Sequence, residues 1–115
     1  MLLRIDPASA APLFEQLAAS VRTELVRGGI RVGDRLPSAK EVAAALDVNL
    51  HTVLRAYQSL RDEGVVDLRR GRGAVVTDRA AGYADLHREI PQLVEHAKAL
   101  GIGPAALAAM IKEVY

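Results

Sequence analysis

The stretch from Leu36 to Gly73, LPSAKEVAAALDVNLHTVLRAYQSLRDEGVVDLRRGRG, leaves this chain fewer folding choices than any other. Ser38 followed by Glu41 is a capping box, in which each side chain satisfies a free backbone N–H of the first helical turn. Pro37 and Ser38 therefore start a short helix with Val42, Ala43 and Leu46 as its buried stripe. Asp47 and Val48 turn the chain, and Asn49 is a good N-cap for a second helix. That helix, about Leu50 to Glu63, has Val53, Ala56, Tyr57 and Leu60 at i, i+3, i+4 and i+7, which marks its core face. A short helix, a tight turn and a longer helix make a helix-turn-helix.

The flanking segments read as support. Leu2 to Ile5 alternate weakly, as a short edge strand would, and Asp6, Pro7, Ser9 and Pro12 make a turn. A first helix is expected from Pro12 to Arg27, with Leu13, Leu17, Val21 and Leu25 on one apolar face beside Phe14 and Ala18. Pro12 suits a first-turn position, where its missing N–H costs nothing. Gly28 and Gly29 supply the stop. Ile30 to Leu36 reads as a connector.

On the longer helix of the motif, the face opposite the core is led by His51, Arg55, Gln58 and Asp62, at about 100° per residue. His51, Arg55 and Gln58 can address base edges or phosphates, and they sit toward the end that enters the major groove in helix-turn-helix proteins. Thr52 lies near the helix start, where hydroxyl and N–H groups suit a phosphate. A solvated polar face would look similar, so the segment after the helix decides. Val65 to Leu68 and Ala74 to Thr77 are β-branched-rich runs on either side of Arg69-Arg70-Gly71-Arg72-Gly73, which reads as a hairpin with a basic, glycine-rich tip. Arginines there can reach phosphates or the minor groove. From Leu50 to Gly73 five arginines (55, 61, 69, 70, 72) face three acids (62, 63, 67). The whole chain is only +1, so the basic excess is local and lies in this motif.

These residues resemble the winged helix-turn-helix domain of the GntR family of bacterial transcription regulators. The marks are PLFEQL in the first helix, GDRLPSAKEVAAAL through the second, TVLRAYQSLRDEGVV in the third and RRGRGAVV in the wing. The resemblance covers residues 1–78. It implies DNA contacts at Arg35, Ser38, Lys40, Asn49, His51, Thr52, Arg55, Arg70, Gly71, Arg72 and Gly73. There are departures. Lys40 stands where an arginine is usual, and it keeps the charge without the bidentate fork. Leu50 and Leu54 also stand where many members have arginine, so base preferences of other branches do not carry over. VNLHTVLRAY is instead similar to the YtrA-like subgroup.

Residues 79–115 read as a helical tail. Tyr83, Leu86, Ile90, Leu93, Ala97 and Leu100 are spaced 3, 4, 3, 4, 3, an apolar seam of heptad type. Pro91 predicts a kink or break near Ile90. Gly101-Ile102-Gly103 makes a joint, and Pro104 opens a last helix with Leu107, Met110, Ile111 and Val114 on its apolar face. Two such short helices cannot bury both stripes against each other, so these ten positions are expected to form a dimer contact. The subgroup's tail implies the same. Gly101 and the Asp78–Gly82 junction are candidate hinges.

Several classes are excluded. With 115 residues the chain holds one domain and an appendage, too small for a separate effector domain. It has no cysteine, hence no disulfide or thiolate metal site. His87 and His96 lack a third ligand at helical spacing, and no phosphate loop, nucleophile elbow or zinc helix occurs. No apolar run approaches a membrane span, and the start lacks the order of a signal peptide. The expectation is an α+β fold: a winged helix-turn-helix domain (three helices and a β-hairpin wing) over 1–78, then a two-helix dimerisation tail over 79–115. It describes a cytoplasmic, homodimeric, sequence-specific DNA-binding regulator, more a repressor than an activator, on an inverted-repeat operator. Its partners are double-stranded DNA, a second copy and an effector whose chemistry no residue pattern identifies; no cofactor, metal or membrane is expected, and no enzymatic activity. The rival is a winged-helix module used only for protein–protein assembly, which salt dependence of binding separates from DNA recognition.

Overall fold

The computed structural model describes residues 3–115. Its elements are α1 (Leu13–Arg27), α2 (Ala39–Leu46), α3 (Leu50–Asp62), β1 (Val66–Arg69), β2 (Gly73–Val76), α4 (Arg79–Ala99) and α5 (Pro104–Val114). The chain forms two compact units, one ending at Asp85 and the other running from Leu86 to Tyr115.

The first unit is built on α1 and α3. Leu17, Ala18, Val21 and Leu25 form the buried face of α1, and Val53, Ala56, Tyr57 and Leu60 that of α3. Val42 is the buried residue of α2, with Ala43 and Leu46 half-buried against the same core. Val65, Val66, Ala74 and Val76 close the core from the hairpin side. Each buried valine or leucine removes enough apolar surface from water to contribute roughly 1.5–3 kcal/mol. Among the described residues no charged side chain is buried, and the core is held by apolar packing around Tyr57, whose ring is buried with it. At the rim the Arg22 guanidinium on α1 pairs with the Glu63 carboxylate at the end of α3, with Nε donating at 3.2 Å.

Several expectations are corrected in this unit. Pro12 is the N-cap rather than a first-turn residue: its ψ of 144° is extended, and its carbonyl accepts from the N–H groups of Glu15 and Gln16. Leu13 is exposed, not part of the buried face. Leu3 to Ile5 form no strand, and Leu2 lies outside the described residues. The only sheet among the described residues has two strands, β1 and β2, and this segment pairs with neither. The Arg4 N–H instead donates to Ser20 Oγ at 3.0 Å, and Leu3 and Ile5 lean on the core. Gly28 ends α1 in the left-handed conformation, as expected.

The connector between α1 and α2 is also more ordered than its sequence suggests. The Gly33 N–H donates to the Val76 carbonyl at 2.9 Å, Val76 N–H to Asp34 at 2.8 Å, and Leu36 N–H to Ala74 at 2.8 Å. Arg35 thereby bridges Val75 in antiparallel sense. The first unit also runs past Asp78, because Ala80 joins the core and Tyr83 packs against it. The Asp78–Gly82 junction is therefore the start of α4 rather than a free hinge.

In the second unit α4 reaches Ala99 with Pro91 inside it, so the break expected near Ile90 is absent. A proline removes one hydrogen bond of the ladder and needs room for its ring, and Pro91 is exposed. Gly101, at φ 74°, turns the chain, and the Ile102 N–H closes back on the Ala97 carbonyl at 2.9 Å. Ala97 is buried, and Leu107 is half-buried. Nothing on α5 is fully buried.

Candidate nucleic-acid interface

Two helix starts carry most of the predicted polar contacts. At α2, Ser38 is the N-cap, and its Oγ accepts the Glu41 N–H at 3.1 Å. Lys40 is exposed in the same turn. The segment before it is pinned from below: the Tyr57 hydroxyl on α3 donates to the Pro37 carbonyl at 2.6 Å. Burial, with a smaller contribution from the charge of Glu41, pushes the Tyr57 phenol up to about 12, so the phenol stays a donor at any ordinary pH. At α3, Asn49 Oδ1 accepts the His51 N–H at 2.8 Å, and the Asn49 carbonyl accepts from Thr52 at 3.0 Å. Asp47 reaches this start through a left-handed turn at φ 52°. Asn49 and His51 are exposed and Thr52 is half-buried, at the positive end of the helix dipole.

Arg55 is exposed one turn further along, on the face opposite the core. Its guanidinium lies 3.8 Å above the centroid of the Phe14 ring on α1.

The hairpin pairs Val66 with Val76, Asp67 with Val75, Leu68 with Ala74 and Arg69 with Gly73. Gly71 and Gly73 have φ of 79° and 71°, a region a side chain adopts only with strain, so the tip needs glycine there. The Arg72 N–H donates to the Arg69 carbonyl at 3.1 Å, closing the turn and leaving Arg70 and Arg72 exposed. Arg69 is drawn toward Asp67 at 3.5 Å.

Five of the predicted contact residues meet in one place. Arg35, Ser38, Gly71, Arg72 and Gly73 line an open groove of about 570 Å³ between the connector and the hairpin tip, with Glu41 at its edge. Arg70 borders a neighbouring cleft of about 370 Å³ between α3 and the hairpin, which shares Ser38 and Gly73. Lys40, Asn49, His51, Thr52 and Arg55 line neither. The second cleft contains Gln58, read from the sequence as part of the polar face, and two residues absent from that reading, the exposed leucines Leu54 and Leu68 at 38% and 40%. Leu54 lies about 100° from Val53 on the helix, neither core nor opposite face, and that angle, with its place where many family members have arginine, was the available signal for it. The stacking of Arg55 on Phe14 had no local signal.

The predicted dimer seam divides. Tyr83 packs against the first unit's core and Ala97 is buried within the second. Leu86, Ile90, Leu93, Leu100, Met110, Ile111 and Val114 are exposed, Leu86, Leu100 and Val114 by more than 60%. Among the described residues no group of three or more His, Asp or Glu could hold a metal, and no helix is long and apolar enough to cross a membrane.

Comparison with known proteins gives this geometry a setting. Residues 13–76 match the pattern of the bacterial regulatory proteins of the gntR family. The chain is 30% identical over 119 residues to the HTH-type transcriptional repressor YtrA of Bacillus subtilis (strain 168), covering 98% of this chain and 92% of that one. Among solved structures, a GntR family transcriptional regulator from Listeria monocytogenes superposes with a TM-score of 0.68 at 28% identity, covering 96% of this chain and 100% of its own. YtrA from Sulfolobus acidocaldarius, described as a GntR-family transcription factor, gives 0.63 at 32% identity over 79% of this chain and 99% of its own.

Proposed function

This chain belongs to the gntR family of bacterial regulatory proteins, and from that premise we propose that it is a cytoplasmic, homodimeric repressor of an inverted-repeat operator. It is a YtrA-like transcription regulator with a winged helix-turn-helix DNA-binding domain, not an enzyme. In the proposed mechanism α3 enters a major groove by its Asn49–Thr52 end, with His51 and Arg55 toward the DNA. The wing straddles the adjacent backbone, and Lys40 reaches a phosphate from α2. The exposed seam of α4 and α5 pairs with its counterpart in a second copy. Two-fold symmetry then demands two half-sites in inverted orientation. Repression follows from occlusion of polymerase, and release from a change in the angle between the two DNA-binding heads.

The observation that carries this reading is the groove shared by Arg35, Ser38, Arg72 and the tip glycines. Two arginines on separate segments converge there with a helix-capping hydroxyl, which suits a sugar–phosphate backbone. The repressor assignment leans on the name of the Bacillus relative.

The test is a salt titration of binding to a duplex selected from a random library by the wild-type protein. Affinity should fall steeply with salt, and Arg72→Ala should weaken binding and flatten the log–log slope by about one unit. An unchanged slope in Arg72→Ala and Arg55→Ala would remove the assigned DNA face.

A further inference from the structure

Phe14 is the chain's one phenylalanine, and it is the second residue of α1, half-buried at the edge of the core. Its ring carries the Arg55 guanidinium at 3.8 Å. Elsewhere in the first unit, three arginines sit against carboxylates: Arg22 on Glu63, Arg61 on Asp62 and Arg69 on Asp67. Arg55 is in none of these pairs. The two kinds of support differ in consequence. A carboxylate neutralises an arginine and occupies its N–H edge, whereas an aromatic face attracts the cation through the ring quadrupole and leaves both charge and edge available. The stack also restricts a long, flexible side chain before any ligand arrives, which lowers the entropy lost on binding.

We propose that Phe14 is a positioning residue for DNA binding: its ring holds the Arg55 guanidinium so that the N–H edge is presented to a backbone phosphate. The scaffold helix thereby sets the affinity of the helix that meets DNA. This rests on the reading of α3 as the DNA-facing helix.

The experiment is a double-mutant cycle of Phe14→Leu and Arg55→Ala on the full chain, using the same selected duplex and a salt series. Phe14→Leu keeps apolar bulk, and it should weaken binding about 3-fold, in keeping with an exposed cation–π contact. It should leave the salt slope unchanged, because the charge remains. Arg55→Ala should lower that slope by about one unit. In the Arg55→Ala background, Phe14→Leu should have no further effect, and Phe14→Tyr, which keeps the ring face, should recover the affinity lost in Phe14→Leu. A loss from Phe14→Leu that is equally large without Arg55 would make the ring merely structural and overturn the proposal. So would wild-type affinity in Phe14→Leu while Arg55→Ala still binds weakly. If Arg55→Ala binds as wild type with an unchanged slope, the reading of Arg55 as a DNA contact fails first, and the role of Phe14 falls with it.

Discussion

Tyr57 does two jobs with one side chain. Its ring fills the core face of α3, and its hydroxyl holds the Pro37 carbonyl at the entry to α2. Tyr57→Phe keeps the first and deletes the second, at a cost of about 1 kcal/mol for a lost hydrogen bond. Equilibrium urea unfolding of the two proteins should show it. The same residue predicts a pH dependence. Its phenol is raised from 10.0 to about 12 in the folded protein. The unfolded chain therefore ionises first, so the stabilisation is complete below pH 10 and is lost as pH rises toward 12. The wild-type midpoint should drop across that window by more than that of Tyr57→Phe. Equal drops would mean that the hydroxyl is wet in the folded state.

At the scale of elements, local signals and distant ones part company. The N-caps Ser38 and Asn49 and the four core positions of α3 were legible, because a cap and an i, i+3, i+4 stripe are written within one turn or two of the chain. The connector's pairing with β2 was not legible, since Gly33-Asp34-Arg35 has no alternation to announce it. The contact between Phe14 and Arg55 likewise joins two helices far apart in sequence. Pro91 predicts a kink or a break, and the break is the part that fails: the residue is carried inside a helix of 21 residues. Because the helix continues through it, Pro91→Ala is expected to stabilise α4, by up to about 3 kcal/mol. A higher thermal midpoint by circular dichroism checks this, and an unchanged or lower one would show that the proline is well accommodated.

For the whole molecule, two compact units of unequal character follow one another. The first has one continuous apolar core, whereas the second leaves Leu86, Leu93, Leu100 and Met110 in solvent. Such a stripe on a small unit suits the proposed pairing with a second copy. Removing residues 86–115 is expected to leave the first unit folded, monomeric and poor at binding a two-half-site duplex. Light scattering and circular dichroism together test this; a truncated protein that is still dimeric would move the interface to the first unit. The helical character of the tail was readable beforehand, since its apolar spacing survives at that scale. The border at Asp85 was not, because Ala80 and Tyr83 look like tail residues until the core they complete is seen.

The connector's pairing with β2 has a mechanical corollary. Hydrogen bonds clamp Gly33–Leu36 to the strand that leads out of the hairpin tip, and Pro37 beyond it is tied to α3 by Tyr57. Hairpin and helix are thus geared to each other through one short lever. On the proposed reading of hairpin tip and α3 as the DNA face, both should seat on a double helix in a single motion, with no intermediate in which one is engaged and the other swings free.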